Sequence, residues 1–267
     1  MQNFKRLIPN LLTAGNLVGG IIAIIFTLTG RIDLAPWCIF ASAIFDFLDG
    51  FAARLLKVQN ELGKQLDSLA DMVTFGVAPG IMVYHLLLGR GNTSFLGMVT
   101  YKNYVGFGFE DETLKTIIEW LPYIAFLIPV FALFRLAKFN LDTRQTSSFI
   151  GLPTPAMTLF FAVIPLLVLS GVESDVQWQQ YMVKVLINPI FLVISTIIMS
   201  IMMVVELPLF ALKFKTFKWK GNEIRFIFLT ICIGLFATLL FWSIPLIIIL
   251  YIILSVINNV IHKTNEI

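Results

Sequence analysis

Residues 45–73 read FDFLDGFAARLLKVQNELGKQLDSLADMV, a stretch that places four acidic side chains in a strongly apolar chain. They are Asp46, Asp49, Asp67 and Asp71. On insertion scales, an ionised carboxylate at the centre of a membrane helix costs roughly 2.5–3.5 kcal/mol. Four carboxylates so close together therefore indicate a functional site that offsets this cost.

The composition predicts an integral membrane protein. Of the 267 residues, 58% are hydrophobic and only 13% are charged, and the mean hydropathy is +0.89. A soluble domain is nearer to roughly 45–50% apolar residues. We expect one all-α membrane domain over residues 1–267, with a core at about 8–207 and an additional helical hairpin at about 223–262.

About eight stretches are long enough to cross a bilayer, which takes roughly 20 apolar residues each. They lie near residues 8–29, 33–56, 66–88, 117–140, 152–170, 184–207, 223–242 and 244–262. If all eight span and the N-terminus is inside, 14 of the 19 Lys and Arg residues are inside. This bias predicts that both termini, and the ends of the helices that carry the aspartates, are cytoplasmic.

The first pair of aspartates lies on one face of a predicted helix. Asp46 and Asp49 are three residues apart, so their side chains point in similar directions. Gly50 and Ala53 extend that face with very small side chains, and Arg54 follows as the helix leaves the membrane.

The second pair repeats this arrangement on the next predicted helix. Gly63, Asp67 and Asp71 recur every four residues and share a face. Because the connection between the two helices is short, we expect them to be antiparallel neighbours. The four carboxylates can then converge on a small volume.

Four negative charges in one small volume need compensation. Oxygen ligands without His or Cys suit Mg²⁺, Mn²⁺ or Ca²⁺ better than zinc, and Mg²⁺ often completes its shell with substrate phosphates. The residues therefore predict a metal-dependent site for a phosphate-bearing molecule. Two alternatives are ordinary salt bridges at helix ends and a cation channel or transporter that uses the aspartates as an ion site.

The spacing Asp46-x2-Asp49-Gly50-x2-Ala53-Arg54-x8-Gly63-x3-Asp67-x3-Asp71 resembles the signature of the CDP-alcohol phosphotransferase family. Members of that family are integral membrane enzymes. They transfer a phosphate-linked group from a CDP-activated donor to an alcohol and release CMP. The resemblance implies two divalent metal ions, Mg²⁺ or Mn²⁺, held by the four aspartates, and it implies that Asp71 is the general base.

Three further segments are similar to the phosphatidylserine synthases within that family. They are PNLLTAGNLVGGIIAI at residues 9–24, RLAKFN at 135–140 and GLPTPA at 151–156. The resemblance implies transfer from CDP-diacylglycerol to L-serine, with another acceptor, such as glycerol 3-phosphate or inositol phosphate, as the alternative.

The resemblance also implies two sets of binding residues. For CDP-diacylglycerol they are Asn10, Thr13, Gly50, Ala53, Arg54, Asn60 and Gly63. For serine they are Arg135, Lys138, Asn140 and Thr154, with Thr154 expected to cap a helix whose first turn contains Pro155.

The remaining expectations concern partners and location. We expect the lipid bilayer of the cell (inner) membrane, a homodimer and no nucleic acid. The lysines at 213–220 alternate with aromatic residues and predict a basic strip at the membrane surface. The segment 89–115 is expected to be an ordered loop outside the membrane, without an evident chemical role.

Overall fold

A computed structural model describes residues 2–88, 120–142, 148–210, 219 and 222–264. The segment 89–115 lies wholly outside these residues, and the segment 213–220 lies outside them except for Trp219. The described helices of the first half are α1 Gln2–Leu28, α2 Ala35–Leu55, α3 Glu61–Asp71, a π-helical segment Met72–Val77, α4 Ala78–Leu88, a 3₁₀ turn Leu121–Phe126 and α5 Leu127–Leu141.

The second half contains two short strands among its helices. Its elements are β1 Ser148–Ile150, α6 Thr154–Ala162, α7 Ile164–Val172, α8 Gln177–Leu186, α9 Pro189–Val204, β2 Pro208–Phe210, α10 Glu223–Leu239, a 3₁₀ turn Leu240–Trp242 and α11 Ser243–Thr264. The strands pair antiparallel, with Phe149 opposite Leu209. The predicted all-α class is confirmed, since every other described element is helical.

Five described helical stretches are long and apolar enough to cross a membrane, or six if one bent pair is a single span. The predicted number of eight is not confirmed. The bent pair is α8 and α9, which meet at 68° within the predicted span 184–207. The bend occurs because Asn188 caps α9, accepting a hydrogen bond from the Ile190 N–H at 2.9 Å, and Pro189 cannot continue the preceding helix.

The chain reverses direction within the last apolar stretch, Glu223–Val260. The rings of Phe228 on α10 and Tyr251 on α11 are 5.8 Å apart, whereas an unbroken helix would separate them by roughly 34 Å. The reversal lies at Leu240–Trp242, where Leu240 has a φ of 48°. The break expected between the spans 223–242 and 244–262 lies slightly earlier in the chain, because Ser243 begins α11, where proline is tolerated in the first turn.

Helix α1 packs closely against the elements that carry the aspartates. A Cβ atom added at Gly15 would lie 3.5 Å from the Phe45 ring of α2. A Cβ at Gly19 would overlap the Ser42 hydroxyl, and one at Gly20 would overlap Thr74 in the π-helical segment. Small residues on one face of α1 therefore permit the approach of both α2 and the π-helical segment.

The link between α2 and α3 brings the two aspartate pairs together. The Val58 N–H donates to the Ala53 carbonyl at 3.1 Å, and the Lys57 N–H donates to the Arg54 carbonyl at 3.2 Å. These two bonds form a Schellman motif, in which Lys57 occupies the left-handed position with a φ of 54°. Asn60 then caps α3. The predicted short connection between α2 and α3 is formed by these two adjoining caps.

Candidate active site and metal centre

Three carboxylates converge where α2 and α3 meet. Asp46, Asp49 and Asp67 each offer an oxygen, and these oxygens all lie within 4.8 Å of one another. Within the described residues, no lysine or arginine forms an ion pair with any of the four aspartates, so the salt-bridge alternative is not supported. The Oδ1 atom of Asp67 is buried and has no hydrogen-bond partner in the described structure. An orphaned oxygen among three converging carboxylates fits a hard divalent cation.

Asp71 lies beside these three carboxylates, at the end of α3. Its side chain is 8% exposed and approaches the Asp46 carboxylate at hydrogen-bonding range. Its Oδ1 accepts a hydrogen bond from Asn16 Nδ2 at 3.0 Å. The structure thus brings all four aspartates to one place. The roles of Asp71 as a fourth ligand and as a general base stay predictions.

Two side chains of α1 contact the carboxylates directly. The Thr13 hydroxyl donates to Oδ2 of Asp49 at 2.6 Å, and Asn16 donates to Asp71. Thr13 was predicted to bind CDP-diacylglycerol, and its hydroxyl orients a carboxylate. Asn16 was not predicted as a site residue. It lies three residues after Thr13 on the same helical face, and a buried amide in a membrane helix was a signal that could have identified it.

A cavity of about 370 Å³ opens beside the carboxylates. All seven residues predicted to bind CDP-diacylglycerol line it: Asn10, Thr13, Gly50, Ala53, Arg54, Asn60 and Gly63. Asp49 and Asp67 lie on its wall, together with the basic side chains of Arg6 and Lys64. A cavity with converging carboxylates suited to a divalent cation and with basic side chains has the electrostatic features that a pyrophosphate requires.

Asn60 has a structural contact within this cavity. Its Oδ1 accepts a hydrogen bond from the Gly63 N–H at 2.7 Å, as an N-cap does. Its Nδ2 donates to the Val58 carbonyl at 3.3 Å. The structure therefore assigns Asn60 to the start of α3, and its predicted contact with the donor stays a prediction.

The residues predicted to bind serine are divided between two places. Arg135 and Lys138 line a second cavity of about 270 Å³, together with Asp142 and Glu206. Arg135 is 7% exposed, donates to the Thr154 hydroxyl at 3.2 Å and interacts electrostatically with Asp71 and Asp46. Arg135 therefore lines this cavity and lies within electrostatic range of two of the four carboxylates.

Two of these residues differ from the expected arrangement. Asn140 packs against α3. Its Nδ2 donates to the Ser68 hydroxyl at 2.8 Å, and its main-chain carbonyl accepts from Lys64 Nζ at 2.7 Å. The expectation that Thr154 caps a helix is wrong, because Pro153 is the N-cap of α6 and Thr154 is its first residue. Its hydroxyl oxygen accepts from Arg135 instead, and α6 has no side-chain capping bond.

A sequence model described as CDP-alcohol phosphatidyltransferase matches residues 6–207, which include all four aspartates and the lining residues of the first cavity. The chain belongs to the CDP-alcohol phosphatidyltransferase family. Among the members of this family, the chain is similar to the CDP-diacylglycerol–serine O-phosphatidyltransferase of Bacillus subtilis. The two are 32% identical over 81% of this chain and 94% of the relative.

The chain is also similar to a second serine O-phosphatidyltransferase and to an archaetidylserine synthase. The CDP-diacylglycerol–serine O-phosphatidyltransferase of Helicobacter pylori strain J99 is 33% identical over 60% of this chain and 58% of the relative. The archaetidylserine synthase of Methanothermobacter thermautotrophicus is 27% identical over 69% of this chain and 70% of the relative. The chain thus spans nearly all of the Bacillus protein and little more than half of the Helicobacter protein.

Proposed function

We propose that this protein transfers the phosphatidyl group of CDP-diacylglycerol to the hydroxyl of L-serine, with release of CMP. The observation that carries the proposal is the position of buried Arg135, which lines a second, charged cavity and lies within electrostatic range of Asp46 and Asp71 in the carboxylate cluster. The first cavity has the features of a donor site and the second those of an acceptor site. The names of the Bacillus and Helicobacter relatives support serine as the acceptor.

The donor occupies the first cavity in this proposal. Gly50 and Gly63 leave room for the nucleotide, while Arg6, Arg54 and Lys64 face its phosphates. Asp46, Asp49, Asp67 and Asp71 would hold two divalent ions, Mg²⁺ or Mn²⁺. When bound, such ions neutralise the pyrophosphate and stabilise the charge of the departing CMP.

The acceptor binds next to Arg135. The Nε atom of Arg135 is buried and has no partner in the described structure, so it is available to donate to the serine carboxylate, with Lys138 adding positive charge. Unsatisfied buried donors are rare in native structures and call for an explanation, which the serine carboxylate would supply. The serine ammonium would face Asp142 and Glu206, which line the same cavity.

Asp71 accepts the proton of the serine hydroxyl. The hydroxyl oxygen forms a bond to the phosphorus that carries the diacylglycerol, and the pyrophosphate bond to CMP breaks. The electron pair of that bond leaves with CMP. Proton removal by a positioned carboxylate is general base catalysis, and it makes the hydroxyl oxygen a better nucleophile.

A phosphorylated acceptor is the second candidate within the family. Arg135 and Lys138 could attract a dianion, but Asp142 and Glu206 line the same cavity. Their negative charge disfavours a phosphate dianion and is compatible with an ammonium group. This charge pattern favours serine over glycerol 3-phosphate or inositol phosphate.

The proposed location is the cell (inner) membrane, with both termini and the donor cavity on the cytoplasmic side. The excess of basic residues at that side supports this orientation. We also propose a homodimer, by analogy with the family.

An acceptor panel tests the function. Purified protein in detergent micelles with CDP-diacylglycerol and Mg²⁺ or Mn²⁺ should release CMP when L-serine is added. Asp71→Asn should abolish the release. Asp33→Asn, which alters an aspartate paired with Arg31 away from both cavities, should preserve it. Release with glycerol 3-phosphate or inositol phosphate, but none with serine, would overturn serine as the acceptor.

A further inference from the structure

Asn16 is a buried amide whose packing alone does not account for its presence. It lies in α1 with 0% exposure, and its Nδ2 donates to Oδ1 of Asp71 at 3.0 Å. Its own Oδ1 is buried without a hydrogen-bond partner among the described residues. A buried carbonyl left unsatisfied destabilises the fold, so an apolar side chain would serve packing better at this position.

The main chain at Asn16 is fixed from two sides. Its carbonyl oxygen accepts hydrogen bonds from Ser42 Oγ at 3.1 Å and from Thr74 Oγ1 at 3.0 Å. Ser42 lies one turn before Asp46 on α2, and Thr74 lies three residues after Asp71. The side chain of Asn16 therefore starts from a backbone position that is tied to α2 and to the π-helical segment directly after Asp71.

The chemistry of the contact determines the orientation of the amide. Only the NH₂ group of Asn16 can donate to a carboxylate, because the reversed amide would set its carbonyl oxygen against the Asp71 oxygen. The amide thus holds one oxygen of Asp71 and fixes the rotation of the carboxylate about its Cβ–Cγ bond. The second oxygen then faces a constant direction relative to Asp46 and the neighbouring carboxylates.

We infer that Asn16 is a positioning residue for the transfer reaction: it holds Oδ1 of Asp71 so that the other carboxylate oxygen faces the acceptor hydroxyl. This inference rests on the proposed function, in which Asp71 accepts the hydroxyl proton. Asn16 acts through Asp71 and need not touch either substrate. Its contribution should therefore appear in the rate of the chemical step and not in the binding of CDP-diacylglycerol.

The test is the kinetics of Asn16→Leu, which removes the amide donor at similar volume. We expect kcat to fall by roughly 10–100-fold, as for other residues that orient a catalytic group. KM for CDP-diacylglycerol and for serine should change by less than about threefold, because the substitution leaves the contacts of both bound substrates unchanged. Thr27→Val is the matched control, because Thr27 is also fully buried in α1 and bonds only within its own helix.

A second variant separates positioning from folding. Asn16→Ala removes the same donor without adding bulk, and we expect the same loss of kcat. It serves as the test variant if Asn16→Leu folds poorly. The thermal unfolding midpoint in detergent is measured for every variant. Unchanged kcat in either folded variant, or a raised KM with unchanged kcat, would overturn the inference.

These measurements distinguish an error about the role of Asn16 from an error about serine as the acceptor. If the wild-type protein releases CMP with another alcohol but not with serine, serine is wrong, and the Asn16 variants are measured with that alcohol. If serine supports release and the Asn16 variants retain full kcat, the function stands and the inference about Asn16 is wrong.

Discussion

The hydroxyl of Thr13 donates to Oδ2 of Asp49 at 2.6 Å, joining α1 to α2 across 36 residues of sequence. Thr13 is 6% exposed and Asp49 is 5% exposed, so the contact is shielded from water. It fixes one oxygen of a carboxylate that belongs to the candidate metal centre. Helix α1 carries none of the four aspartates, yet it sets the orientation of one of them.

Thr13→Val should weaken metal binding. The valine keeps the shape of threonine but cannot donate to Asp49, and loss of such an outer contact typically reduces metal affinity or activity by about 10–100-fold. The Mg²⁺ concentration that gives half-maximal CMP release should rise accordingly. Thr13→Ser retains the hydroxyl and should behave like the wild-type protein. An unchanged Mg²⁺ dependence in Thr13→Val would show that the contact does not support the metal.

Asp67→Asn should abolish CMP release and metal binding together. Asparagine has the same shape, but it removes one of three converging negative charges and the charged oxygen best suited to Mg²⁺. Binding of Mn²⁺ to the detergent-solubilised protein can be followed by electron paramagnetic resonance.

Removal of the metal from the wild-type protein should reproduce the loss of CMP release expected for Asp67→Asn. Chelation with EDTA should stop turnover of the wild-type protein, and added Mg²⁺ or Mn²⁺ should restore it. Asp33→Asn is the matched control and should bind Mn²⁺ normally. Full activity of Asp67→Asn after exhaustive chelation would contradict a metal centre at these carboxylates.

Arg135→Lys should raise KM for serine by about 10–100-fold, because the proposed contact with the serine carboxylate is a charge-assisted hydrogen bond worth roughly 1.5–3 kcal/mol. Lysine keeps the charge but lacks the Nε donor and the planar fork that reaches Thr154. KM for CDP-diacylglycerol should change little. Initial rates of CMP release at a series of serine concentrations give KM for serine.

The control for Arg135 is an arginine that lies outside both cavities. Arg31→Lys alters a residue that pairs with Asp33 at 3.3 Å, and KM for serine should be unchanged. An equal rise in KM for both substrates of Arg135→Lys would indicate a general disturbance of the site.

The convergence of the aspartates was predictable because helical periodicity is a local property. Spacings of three and four residues place Asp46 with Asp49 and Asp67 with Asp71, and a short link between their helices leaves little freedom in how the pairs meet. Gly50 and Gly63 share those faces and line the first cavity. That they bind the donor was an implication of the family resemblance and stays a prediction.

The contacts between distant segments were less accessible to this reasoning. Asn16 reaches Asp71 across 55 residues, and its partner depends on how α1 crosses the π-helical segment. The bend at Asn188 was missed because hydropathy does not distinguish a capped start at Pro189 from a continuing apolar helix. Likewise, the reversal at Leu240 has no Gly, Asn or Asp to mark a left-handed residue.

Lys57→Gly should stabilise the protein without changing its activity. Lys57 occupies the left-handed position of the Schellman motif with a φ of 54°, a conformation that costs a non-glycine residue roughly 1–2 kcal/mol. Glycine removes this strain but gains about 0.4–1 kcal/mol of unfolded-state entropy. The free energy of unfolding should therefore rise by about 0.5 kcal/mol, with a higher thermal midpoint in detergent. Lys57→Ala removes the same charge but keeps the strain, and it should leave the midpoint nearly unchanged. A lower midpoint for Lys57→Gly, or an equal gain for both variants, would show that backbone strain at this turn is not the controlling factor.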